Sequence, residues 1–130
     1  MLRVVLVGDS IRMGYEDYVR RALAGRAEVL SPRENGGTSA NVLAHLDAWV
    51  IAERPAVVHL NCGLHDLRRE FGDAVNAVPL ADYSENLKAI FGQVCNLPGT
   101  TLIWATITPV NERWHHENKP FDRLEADVDA

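Results

Sequence analysis

Cysteine is scarce: Cys62 and Cys95 are the only two, and they form no Cys-x-x-Cys. That excludes a disulfide framework and a dithiol redox motif, and both read as reduced thiols in or near a core. No zinc-like spacing exists, because His115 and His116 are adjacent and cannot share one helical face as an i, i+4 pair would. No metal site is expected. Basic runs are also missing: Arg20-Arg21 and Arg68-Arg69 are isolated pairs in a chain of formal net charge −5. Nucleic-acid binding as the main role is disfavoured. No apolar run approaches membrane-spanning length, so no membrane partner is expected. The start, Met1-Leu2-Arg3, reaches Gly8-Asp9 after only a few apolar residues, too short and too early for a signal-peptide core. These readings predict a soluble, cytoplasmic protein.

What is present is an ordinary globular composition, 47% hydrophobic and 24% charged, which suits one domain with one core over residues 1–130. The organising stretch is Leu2–Ser10, LRVVLVGDS. Val4 to Val7 form an apolar, mostly β-branched run closed by Gly8-Asp9-Ser10, the pattern of a buried central strand in a parallel sheet. In open α/β sheets the ligand crevice lies beyond the carboxyl ends of the strands. Ser10 is then placed at the mouth of that crevice, where a serine is a candidate nucleophile. The plainer alternative is that Asp9 and Ser10 only shape the turn and cap the next helix.

The rest of the chain alternates. A strand over Arg3–Val7 is followed by a helical segment over Met13–Ala24, with Met13, Val19 and Leu23 as inward residues and Gly25 placed to end it. Ala27–Leu30 reads as a second strand, and Ser31–Thr38 as a loop punctuated by Pro32, Gly36 and Gly37. Thr38 or Ser39 caps a helix whose stripe is Val42, Leu46, Trp49 and Val50, continuing to Glu53 and ended by Arg54-Pro55. Ala56–Leu60 is a third strand and Asn61–Asp66 the loop beyond it; Arg68–Val78 is irregular or weakly helical. A long amphipathic helix runs from Leu80 to Val94, closed by Pro98-Gly99. Thr101–Thr106 is the fourth strand, and Phe121–Val128 begins one more helix. This order predicts a parallel sheet with helices on both faces, a three-layer α/β/α fold.

Three loops therefore leave the carboxyl ends of strands and can meet: Gly8-Asp9-Ser10, Asn35-Gly36-Gly37-Thr38-Ser39, and Asn61-Cys62-Gly63-Leu64-His65-Asp66. On these motifs the sequence resembles the SGNH hydrolases, the GDSL-type esterases and lipases, with their flavodoxin-like sheet, over essentially its whole length. The resemblance implies that Ser10 is the nucleophile and Asp9 a supporting residue. It implies an oxyanion held by the Ser10 N–H, by Gly36 or Gly37, and by the residue at position 65. There His65 stands where the family's Gly-x-Asn-Asp has asparagine. A ring N–H can donate as an amide does, but its donation depends on tautomer and pH. Asp66 then orients the loop or caps the following helix. The implied reaction is acyl transfer from a small ester to water, with no cofactor.

One part of the family pattern is missing: no Asp-x-x-His occurs in the 130 residues. Without the histidine base and its aspartate, a serine hydroxyl is a poor nucleophile. The expectation is a C-terminally truncated version of the fold, incomplete as an esterase and prone to self-association through an uncovered C-terminal edge. The alternative is a non-catalytic α/β module, derived from such a hydrolase, that binds a ligand or a partner. The remaining histidines have ordinary expectations: His45 solvated, His59 buried with a hydrogen-bonded partner, a catalytic role being its alternative, and His115 and His116 exposed in a loop, with a substitute base from that pair as the alternative. Cys62 reads as core rather than nucleophile. Trp49, Trp104 and Trp114 read as packing residues, Trp114 the one placed to line a pocket.

Overall fold

The structure is a computed structural model that describes residues 1–130. Four strands, β1 (Leu2–Val7), β2 (Ala27–Leu30), β3 (Val57–Leu60) and β4 (Thr101–Trp104), form one sheet in the order β2-β1-β3-β4. Every pairing is parallel: Val5 lies beside Leu30 on one side and Val58 on the other, and Leu60 beside Trp104. Between the strands run α1 (Ser10–Ala22), α2 (Ser39–Trp49) and α3 (Leu80–Cys95), with the short α4 (Glu112–Asn118) and α5 (Glu125–Val128) after β4. No helix is long and apolar enough to cross a membrane.

The strand pleat divides the sheet into two unequal faces. Val5, Val7, Val58 and Leu60 point one way and meet Val42, Leu46 and Val50 of the α2 segment and Ile90 and Val94 of α3, all at most 1% exposed. Each such side chain contributes about 1.5–3 kcal/mol through burial, so this face carries most of the cohesion. Val4, Leu6, Val57, His59 and Ile103 point the other way, toward Tyr15 and Val19 of α1 and Leu23 just after it. There the cover is partial: an apolar groove of about 390 Å³ remains, and Ile103 on the edge strand is 47% exposed.

The three-layer parallel fold is as expected, and its element boundaries differ in informative ways. Helix α1 starts at Ser10 rather than Met13, because the Asp9 carboxylate accepts from Ile11 N at 2.9 Å and caps it. That phase turns Met13 outward, at 43% exposed, and turns Arg12 inward, at 2%. Helix α2 stops at Trp49; a 3₁₀ turn over Ile51–Glu53 follows, ended by Arg54 at φ 47° before Pro55. Strand β4 ends at Trp104, not Thr106. His115 and His116 lie on α4, not in a loop, because Asn111 caps that helix through Trp114 N. The last helix is Glu125–Val128 rather than Phe121–Val128.

The two faces of α1 and the core give a direct comparison. Leu46→Ala or Ile90→Ala should lose about 2–5 kcal/mol in urea unfolding, whereas Met13→Ala should stay within about 0.5 kcal/mol of the parent. Similar losses at Met13 and Ile90 would contradict the helix phase described here.

Candidate functional site

The three loops do converge beyond the carboxyl ends of β1, β2 and β3. The first two touch through their backbones. Gly36 N donates to Gly8 O at 2.9 Å, and a Cβ on Gly36 would stand 2.7 Å from that oxygen. Only glycine fits there, since the obstacle is backbone and cannot swing away. Asn41 Nδ2 holds Gly36 O at 2.8 Å, and Gly37, at φ 65°, donates its N–H to Asn35 Oδ1 at 2.9 Å.

Arg12 fastens the same junction from below. Its guanidinium donates to Pro32 O at 2.8 Å, Glu34 O at 2.6 Å and, at longer range, Gly8 O, and it pairs with Glu16 at 2.6 Å. This buried arginine is a structural part of the site that the apolar pattern of α1 did not reveal. The signal was present in the i, i+4 spacing of Arg12 and Glu16 on the inward side of the helix.

The third loop is tied to the second by Asp66, which is 2% exposed. Its carboxylate accepts from Ser39 N at 2.9 and 3.1 Å and from the Ser39 hydroxyl, which itself accepts from Asn86 Nδ2 at 3.0 Å. Asp66 therefore holds the first residue of α2, the helix before its own loop, whose cap is Thr38, accepting from Asn41 N at 3.1 Å. Burial pushes its carboxyl above the ordinary value, against the bonds from Ser39 that favour the ionised form. Asn61 Nδ2 reaches Ala105 O at 2.7 Å and Tyr83 OH donates to Cys62 O at 2.8 Å, so the loop is held from both sides. Gly63, at φ 150°, lies against the Ile107 side chain, where a Cβ has no room.

Within this frame some expected site residues stay free. Ser10 is the first residue of α1, is exposed, and its hydroxyl makes no hydrogen bond in the protein. Its N–H belongs to the first turn of α1, where no i−4 carbonyl is available. His65 is half-buried and neither ring nitrogen is bonded elsewhere. Asp9, 4% exposed, is engaged in capping.

The other histidines divide. His59 is half-buried and its Nδ1 lies 3.3 Å from Tyr15 OH, the partnered arrangement expected. His45 is exposed and stacks on Trp49 at 4.6 Å between centroids. His116 pairs with Asp122 at 2.8 Å, in a surface depression lined by α4 and the Asp122–Glu125 segment and by no residue of the three loops. His115 is half-buried, not exposed; burial and the nearby Arg123 hold its ring below the ordinary value. Trp114 is 49% exposed and lies against His115 and Lys119 rather than in a pocket. Arg123 is a second residue missed in the sequence: its Nε donates to Leu64 O at 2.6 Å, placing it on the third loop.

No protein-family model matches the sequence, and no curated protein does. Solved structures match it. An acetyl xylan esterase aligns with a TM-score of 0.73 at 16% identity over 98% of this chain and 67% of that one. The lipase/acylhydrolase from Enterococcus faecalis aligns with a TM-score of 0.73 at 22% identity, over 99% of this chain and 66% of that one. A catalytic mutant of an acetylxylan esterase from Geobacillus stearothermophilus, with a histidine replaced by alanine, gives 0.72 at 18% identity over 98% and 67%. The fold is that of the SGNH or GDSL hydrolases, and the chain spans 57% to 67% of the length of the structures it matches.

Two measurements test the frame. Burial and the charges of Asp66 and Asp9 push the Cys62 thiol up to about 12, while Cys95 is exposed. A thiol reagent at neutral pH should therefore modify Cys95 alone in the native protein and both thiols once it is unfolded; fast native reaction at Cys62 would contradict this packing.

For Asp66, Asp66→Ala strands a buried N–H and hydroxyl and should cost about 1–3 kcal/mol. A carboxyl raised in the folded state stabilises the fold at low pH and loses that contribution as pH rises through its folded value. The stability of the parent relative to Asp66→Asn should accordingly fall as pH rises across the carboxylate range. A difference that grows with pH would mean that the Ser39 bonds outweigh burial.

Proposed function

We propose that this chain carries the nucleophile side of a serine ester hydrolase, with Ser10 attacking the carbonyl of a small ester. The observation that supports the reading most is the position of Ser10. It is exposed with an unbonded hydroxyl at the first turn of α1, directly beyond β1, on a fold shared with acetyl xylan esterases and an acylhydrolase.

In this reading Ser10 Oγ bonds to the carbonyl carbon and loses its proton to a base, and the carbonyl oxygen becomes an oxyanion. Collapse expels the alcohol, which takes up a proton, and water then cleaves the acyl-serine. The Ser10 N–H and His65 are the donors with no other partner, and the N-terminus of α1 favours developing negative charge. Gly36 and Gly37 already donate to Gly8 O and Asn35 Oδ1, so either would exchange that bond to serve the oxyanion. Asp9 and Asp66 act by holding the loops. No Asp-x-x-His is present in the 130 residues, and no base among them is assigned.

The test is hydrolysis of 4-nitrophenyl acetate by the chain and by Ser10→Ala, each with and without added imidazole as an external base. The parent alone should be slow. Imidazole should raise its rate above that of Ser10→Ala, and His65→Asn should retain most of the gain. Equal rates for parent and Ser10→Ala under both conditions would favour the non-catalytic binding module. Fast turnover without imidazole that is lost in His115→Ala or His116→Ala would name a base within the chain.

A further inference from the structure

We propose that Arg123 and Arg68, both packed on the Phe121 ring, form an anion subsite at the mouth of the candidate site, suited to an ester that bears a carboxylate on its acyl or alcohol part. The inference rests on the hydrolase reading and narrows its substrate class.

The geometry begins at Leu64. Arg123 Nε donates to Leu64 O at 2.6 Å, within the Gly63–Asp66 loop that also carries His65. That bond uses one of the five N–H donors of a guanidinium. Arg123 makes no other hydrogen bond and no ion pair, although it is half-buried. Phe121 fixes it: the Arg123 guanidinium lies 4.8 Å from the ring centroid and that of Arg68 4.2 Å. Both cations thereby lie against one ring beside the loop, near enough for Arg68 to be felt by Arg123.

No carboxylate is bonded to the free donors of Arg123. Asp9 is near enough to be felt by Arg123, but it is buried and its Oδ1 is bonded to Ile11 N. Glu70 pairs with Arg68 at 3.0 Å, with side chains 61% and 43% exposed, a surface contact of small net value. His115, beside Arg123, has a buried Nδ1 with no partner. Burial weakens the hold of Arg123 on its proton, with Asp9 acting against that and Arg68 adding to it.

A half-buried guanidinium with its fork open matches a planar carboxylate, to which it can donate in parallel. Because Asp9 precedes Ser10 and Leu64 precedes His65, an anion on Arg123 would hold the rest of a small molecule against both.

Binding can be read without turnover. Monomethyl glutarate and the neutral methyl butyrate are titrated into the ¹⁵N-labelled chain, following the arginine Nε–H signals and the Ser10 amide by NMR. The charged ester should bind about tenfold or more tighter than the neutral one, the scale of one charge-assisted bond. Raising the salt concentration should shrink the gap. Arg123→Met should abolish the preference, Arg123→Lys should keep part of it, and Arg68→Met should reduce it. Equal binding of the two esters, or a preference unchanged in Arg123→Met, overturns the proposal. If Arg123→Met does not fold, Arg68→Met and the salt dependence decide instead. Should the preference hold while Ser10→Ala and the parent hydrolyse 4-nitrophenyl acetate alike, the anion subsite stands and the hydrolase reading falls.

Discussion

The approach of Gly8 to Gly36 is the contact on which the site depends. Two backbones pass so close that a single methyl group would not fit between them, and one N–H to carbonyl bond closes the gap. Such an approach leaves carbonyls facing inward with no strand to pair them. Arg12 supplies the missing donors to Gly8, Pro32 and Glu34, and Glu16 supplies its counter-charge. A guanidinium buried without those partners would be costly; with every one of them in place it becomes a cross-link between β1 and the second loop. Burial alone would raise the Glu16 carboxyl, yet the bonds from Ser31 and Arg12 hold it below its ordinary value, so the Glu16 carboxylate stays ionised at neutral pH.

Asp66 does for the third loop what Arg12 does for the second. One charged side chain in each case ties a loop to the element next to it, and neither faces the solvent. The result is a division of labour among polar groups. Arg12, Asp9, Asp66, Asn41 and Asn61 are consumed by backbone partners and fix the loops; Ser10 and His65 have none and remain available. Preorganisation of this kind lets a free side chain be held by its backbone alone, with no reorganisation when a ligand arrives.

Most of the fold could be read from the sequence because it depends on period. Alternating Val5 and Val7, the stripe Val42–Leu46–Val50 and the pair Ile90–Val94 each bury one face, and these periods differ enough to tell strand from helix. What could not be read depends on cap chemistry and on distant partners. Asp9 begins α1 three residues before the apolar pattern does, and that shift exchanges the places of Met13 and Arg12. The loop positions of Ser10, Gly36 and Asp66 followed from strand ends, so the meeting of the three loops was legible. That the N–H groups of both glycines are already engaged was not, because it turns on loop torsions at Gly36, Gly37 and Asn35 that no spacing encodes. Arg123 was invisible for a related reason. Its partner Leu64 lies 59 residues away in sequence, and nothing local distinguishes it from a surface arginine.

Charge distribution gives a last physical argument. The chain as a whole is acidic, with a net charge of −5, which on average repels an anionic ligand. At the mouth of the site the proposed subsite sets two groups that favour an anion beside the buried Asp9, which opposes one. The N-terminus of α1 presents an unpaired N–H at Ser10, and Arg123 is bonded to the neighbouring loop without a paired carboxylate. Fields from surface carboxylates decay within about 8–10 Å at physiological salt, whereas a half-buried guanidinium and a helix terminus act at contact distance through little water. Groups at contact distance, rather than the net charge, therefore set the field where a ligand would sit. An oxyanion forming at Ser10 and a carboxylate held by Arg123 would draw on the same positive region.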